Sequence, residues 1–206
     1  MQTIGVTGSQ PSSGFNPLIS MALIFLMPVG ILSVYLGSIV IGEEGSAMWR
    51  VYSAPISAES LVKSKYSFIV FLSIIVVTLT GIIGVFVFQP SVRAAVFAFV
   101  ESFLLMFALS AISLAVGMFG PDFREVPRPR MIRPEWSFFN LIVCLLAGVA
   151  VLAPFVPYAV SFVGLGTPFD LYQAVIVSVV ISVILTFVGY RLALRNARQL
   201  LQKAET

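Results

Sequence analysis

The chain has 206 residues, of which 59% are hydrophobic and 10% charged, and its mean hydropathy is +1.03. Soluble domains run at about 45–50% apolar residues, so this composition excludes an ordinary water-soluble domain and reads as an all-α integral membrane protein. With no histidine and a single cysteine it excludes an internal disulfide and leaves a Cys/His metal or haem site almost without ligands, and its net charge of +3 comes from basic residues at helix ends, which speaks for orientation in a membrane and not for nucleic acid.

Residues Met1–Asn16 are polar, uncharged and rich in Gly, Ser and Thr. They lack the positive n-region and short apolar stretch of a secretory signal, and are expected to form a polar extracytoplasmic N-terminus over residues 1–17. Five apolar runs follow: Leu18–Ile41, Tyr66–Phe88, Ala94–Phe119, Ser137–Val156 and Leu171–Tyr190. Each reaches the ~20 residues that a spanning helix needs. Period-two alternation is absent, so the sequence predicts five transmembrane helices in a single domain over 18–192, with a helical tail over 193–206. Cys144 lies inside the fourth run and reads as a small packing residue.

Lys and Arg set the expected orientation. Arg50, Lys63 and Lys65 lie after the first run, Arg124, Arg128, Arg130 and Arg133 after the third, and Arg191, Arg195, Arg198 and Lys203 after the fifth. Eleven of the twelve basic residues thus fall on one side, and Arg93 alone on the other. The positive-inside rule places those loops and the C-terminus in the cytoplasm and the N-terminus outside, in a multi-pass protein of the cell membrane.

The polar interruption Gly42–Lys65 carries the most information. Met48, Val51 and Tyr52 recur at helical spacing, Ser46 stands where an N-cap would, and Glu43 and Glu44 precede the positive end of that short helix. Pro55 stops it. Ser57 is placed to cap a second helix running through Lys63 and Lys65 into the next span. A small amphipathic helix on the membrane surface, shaped to receive a push from a soluble partner, is one reading; a plain interfacial connection is the other.

The next cytoplasmic loop, Gly120–Trp136, contains Pro121, Pro127, Pro129 and Pro134, which forbid a continuous helix. Its arginines, Arg124 and Arg128 among them, suit an acidic partner or anionic headgroups, and Pro121, Asp122 and Phe123 form a run that anchoring alone does not require. On the other side, Ala153–Asp170 is apolar for a loop, and reads as a re-entrant element or as an aromatic belt at the interface. Glu101 is the one acid well inside a span. It sits eight residues past Arg93, about 12 Å of helix rise, where it either contacts a substrate or bonds to a neighbouring hydroxyl. Leu192, Leu194, Leu200 and Leu201 give the tail an apolar face.

Catalytic motifs are lacking. There is no GxxxxGK[ST], GxSxG or HExxH, and Asp122 and Asp170 fall on opposite sides of the membrane. No catalytic, metal or cofactor site is expected in this chain.

Two stretches carry a family resemblance. Glu43–Lys65, with Trp49, the Ser-Ala-Pro-Ile-Ser of Ser53–Ser57, and Lys63 and Lys65, is similar to the coupling-helix segment of ABC-2 type ABC transporter permeases. Gly120–Arg130 resembles their Pro-Asn/Asp-Phe loop. The resemblance runs from about Leu18 to Tyr190 and implies the second to sixth helices of a six-helix core, a re-entrant segment at Ala153–Asp170, and either a truncated or split chain, with a second permease chain supplying the missing helices, or the C-terminal part of a longer permease. The implied function is that of an exporter permease component forming the substrate path, not itself an enzyme, and powered by a separate ABC ATPase. Trp49 and Tyr52 would fill a groove on that ATPase, with Glu43, Glu44 and Arg50 orienting the contact and Pro55 keeping the element short. The competing expectation is a non-transporting scaffold or accessory subunit of a larger membrane complex.

Overall fold

A computed structural model describes residues 17–42, 56–119, 134–155 and 171–202. Among these residues the chain is all helical, with five long helices: α1 (Pro17–Ile39), α2 (Ala58–Phe88), α3 (Val92–Gly117), α4 (Pro134–Leu152) and α5 (Leu171–Gln202). The last four are long and apolar enough to cross a membrane, over Ala58–Phe88, Ala95–Gly117, Glu135–Leu152 and Tyr172–Gln202. The remaining expected span is not among them: in α1 the apolar segment is shorter, Leu26–Ile39.

The helix boundaries follow local chemistry. Ser57 is the N-cap of α2, its Oγ accepting from the Ser60 N–H at 3.2 Å, and Glu59 sits in the first turn, where the helix dipole favours an acid. The cap expected at Ser57 is therefore present, and α2 carries Lys63 and Lys65 in its opening turns. At the far end Gln89 takes the left-handed conformation (φ 45°) and its N–H closes on the Val85 carbonyl. Pro90 has no N–H to continue the helix, and α3 starts at Val92. So short a connection makes α2 and α3 antiparallel neighbours. Pro28 lies inside α1 and removes one of its backbone bonds.

The centre of the bundle is α3, which packs against all four other helices, while α2 and α4 flank it without substantial contact with each other. Small side chains make this possible. Ala108, Ala111, Ala115, Ser102, Ser110 and Ser113 are all buried along α3, and at membrane helix crossings small residues let backbones approach. Where α1 meets α3, a Cβ on Gly37 would stand 2.5 Å from the Ser113 side chain, and one on Gly117 would run into the Gly37 carbonyl oxygen. On the α5 side, a Cβ on Gly189 would lie 2.8 Å from the Ile112 nitrogen.

Large apolar side chains point the other way. Phe71, Phe86, Leu145 and Ile176 are 62%, 77%, 65% and 63% exposed. A protein in water rarely shows so much apolar surface; a protein in lipid has no reason to hide it.

Candidate functional site

Polar groups gather in the interior, against the small-residue faces of α3. Asn140 of α4 is 1% exposed. Its Nδ2 donates to Ser113 Oγ at 2.9 Å and to the Val34 carbonyl at 3.3 Å, while Ser113 Oγ donates to the same carbonyl at 2.7 Å. Cys144, one turn further along α4, donates from Sγ to Asn140 Oδ1 at 3.4 Å. Three helices are joined at this one point. Beside it, Ser33 of α1 and Ser73 of α2 place their Oγ atoms 3.4 Å apart.

A second group lies between α3 and α5. Glu101 is buried, 5% exposed, and its Oε2 accepts from Ser178 Oγ at 2.9 Å. Its other oxygen, Oε1, is buried without a hydrogen-bond partner, as is Ser110 Oγ further along α3. One turn past Ser178, Ser182 donates to the Leu104 carbonyl at 2.7 Å. The neighbouring hydroxyl that Glu101 needs is thus Ser178, which i, i+4 spacing with Ser182 brings to the α3-facing side of α5.

The third group stands at the end of the bundle where α2 begins and α5 finishes. Tyr66 donates to the Phe107 carbonyl at 3.3 Å, and its ring meets that of Tyr190 edge-on at 5.7 Å. Asn196 Nδ2 donates to the Ala115 carbonyl at 2.8 Å. Arg198 and Glu59 form an exposed ion pair at 3.6 Å. Phe119 and Trp136 pack their rings 4.6 Å apart at this end, where α3 finishes and α4 begins.

Among the residues expected to form sites, Glu101 is the one within the described part of the molecule. Glu43, Glu44, Trp49, Arg50, Tyr52 and Pro55, together with Pro121, Asp122, Phe123, Arg124 and Arg128, lie outside the described residues, as does most of Ala153–Asp170. Sequence reasoning passed over Asn140, although an amide within an apolar run is itself a signal: such a group is costly unless bonded. Among the described residues no three His, Cys, Asp or Glu side chains come together as a metal site would require.

With this geometry in hand, comparison with known proteins gives one result. A family model described as "Putative ATP-binding cassette" matches residues 18–202. No curated protein and no solved structure matches the chain. The match overturns three expectations. The family is not the ABC-2 type permease group that the sequence resembles. The function expected from that group, an exporter permease component, falls with it, and the scaffold alternative gains no support either. The expectation that the chain is no enzyme falls too, because the family is described by ATP binding itself. The physical reason for the misreading is plain. Both loop stretches are short and owe their likeness to Pro, Arg and acids, which any interfacial connection between spans uses, whereas the family match covers residues 18–202.

Proposed function

From the chain's membership of this ATP-binding-cassette family, we propose that it is a membrane-embedded helical component of an ATP-binding-cassette system, in the cell membrane, working with an ABC ATPase as partner. One observation carries the reading: the family match over residues 18–202 coincides with the helical bundle from Pro17 to Gln202. The transporter context comes from the family, and the membrane setting from four helices of spanning length and composition.

The partner reading adds chemistry. An ABC ATPase as partner is in keeping with the ATP-binding-cassette family to which the chain belongs. The end of the bundle formed by the start of α2 and the finish of α5 bears Glu59, Lys63, Arg195 and Arg198, the exposed charged groups that a soluble protein would meet.

The test is photolabelling with an azido-ATP probe after gentle extraction of the tagged full-length chain from its native membrane. We expect label on a co-extracted ATPase. Label nowhere in the preparation overturns the ATP-binding-cassette reading, and label on this chain alone, with nothing co-extracted, overturns the partner.

A further inference from the structure

The last part of α5 is a docked element and not a loose tail. Ala193 and Ala197 are fully buried against the opening turns of α2, with Leu194, Leu200 and Leu201 packed beside them. The Asn196 bond to the Ala115 carbonyl ties the same stretch to α3. One face of the helix is therefore fixed inward, and the opposite face is fixed outward.

That outward face changes character at a definite level. Ile176, Val180, Ile184 and Phe187 are each more than half exposed, and the same stripe continues at helical spacing through Arg191, Arg195 and Arg198, all exposed. The change falls at Tyr190, whose edge-on contact with Tyr66 places two aromatic rings of the kind that settle at the membrane–water boundary. Arg191 lies over the Phe187 ring, its guanidinium carbon 5.0 Å from the centroid, at the turn where the apolar stripe becomes basic. Glu59 is the acid paired with this stripe, and its contact with Arg198 joins side chains 72% and 64% exposed. Such a pair is weak and leaves the stripe with an excess of positive charge.

We propose that the outer face of α5 binds an anionic phospholipid, with the headgroup phosphate held among Arg191, Arg195 and Arg198 and the acyl chains lying along Val180, Ile184 and Phe187. The proposal rests on α5 crossing the membrane. A lipid is the one ligand that is apolar below Tyr190 and anionic above it, as the stripe requires. A soluble acidic protein meets the arginines but has no reason to follow the apolar half of the stripe to acyl-chain depth. The seven helical steps from Arg191 to Arg198 rise about 10 Å, and the long arginine side chains reach back towards the phosphate layer.

The experiment purifies the full chain in mild detergent with equal amounts of phosphatidylglycerol and phosphatidylcholine, and reads the lipid retained by native mass spectrometry. Wild type is expected to keep phosphatidylglycerol selectively. Each Arg→Gln change at 191, 195 or 198 should lower that retention about fivefold, the triple Arg→Lys variant should keep most of it, and Arg93→Gln should leave it unchanged. Circular dichroism and gel filtration establish that each variant is folded; if the Gln variants at 191 and 198 are not, Arg195→Gln alone decides. Equal retention of the two lipids by wild type, or undiminished phosphatidylglycerol on a folded Gln variant, overturns the proposal. So does binding of a poly-glutamate peptide in phosphatidylcholine nanodiscs that Arg195→Gln abolishes, if phosphatidylglycerol is not retained, since the stripe would then belong to an acidic protein.

Discussion

An amide side chain in the interior of an apolar bundle is stable only when its hydrogen-bonding groups are met. Asn140 meets this condition by reaching both Ser113 and the Val34 carbonyl, and by accepting from Cys144. Single side-chain hydrogen bonds within membrane proteins contribute modestly, about 0.6 kcal/mol on average, but Asn140 makes several and its loss leaves Ser113 short of a donor. Asn140→Ala is expected to lower the stability of the folded protein by about 1–2 kcal/mol, read from reversible unfolding in mixed micelles. An unchanged unfolding midpoint would show that water or a rearranged Ser113 replaces the amide. Glu101 presents the opposite case, because Ser178 serves one carboxyl oxygen and leaves the other without a partner.

At the scale of helices, the crossing of α1 over α3 depends on glycine for room and not for backbone freedom. Any side chain at Gly117 meets the carbonyl oxygens of Gly37 and Ser38, and a backbone cannot fold aside as a flexible side chain would. Gly117→Leu should force the two helices apart, break the Ser113 and Asn140 bonds to Val34, and destabilise the bundle by more than about 2 kcal/mol. Loss of the monodisperse peak and of thermal protection would register it. Gly30 is a useful control, since a Cβ there would meet Leu109 at an ordinary 3.9 Å; Gly30→Ala should be tolerated.

For the whole molecule, the alternation of helix directions places the α2–α3 connection at Gln89 at one end of the bundle and the end of α5 at Gln202 at the other. If α2, α3, α4 and α5 all span, and the basic residues lie inside as their distribution predicts, the two positions face opposite compartments. In a Cys144→Ala background, a cysteine at Gln89 should react with an impermeant maleimide added outside intact cells, and a cysteine at Gln202 only after permeabilisation. Labelling of both from outside would refute the arrangement.

Composition, apolar run length and the absence of period-two alternation by themselves pointed to a molecule that is helical and suited to lipid, because helices and closed barrels are the arrangements that satisfy backbone groups without water and a barrel needs that alternation. The local signal at Ser57 was enough to start α2, since a cap acts within one turn, and the end of the apolar run at Phe88 marked where it stops. Beyond that range sequence reading weakened. It named Glu101 as an acid needing a partner but could not choose Ser178, and it did not single out Asn140, because these partners are 77 and 27 residues away from Glu101 and Ser113 respectively. Short loop signatures pointed to a family that the full helical length did not match. The tertiary structure decided which face of each apolar helix turns inward. In a membrane that choice is not written in hydrophobicity, since lipid and core are equally apolar; it is made by the small residues and hydrogen-bonding groups that only close packing brings together.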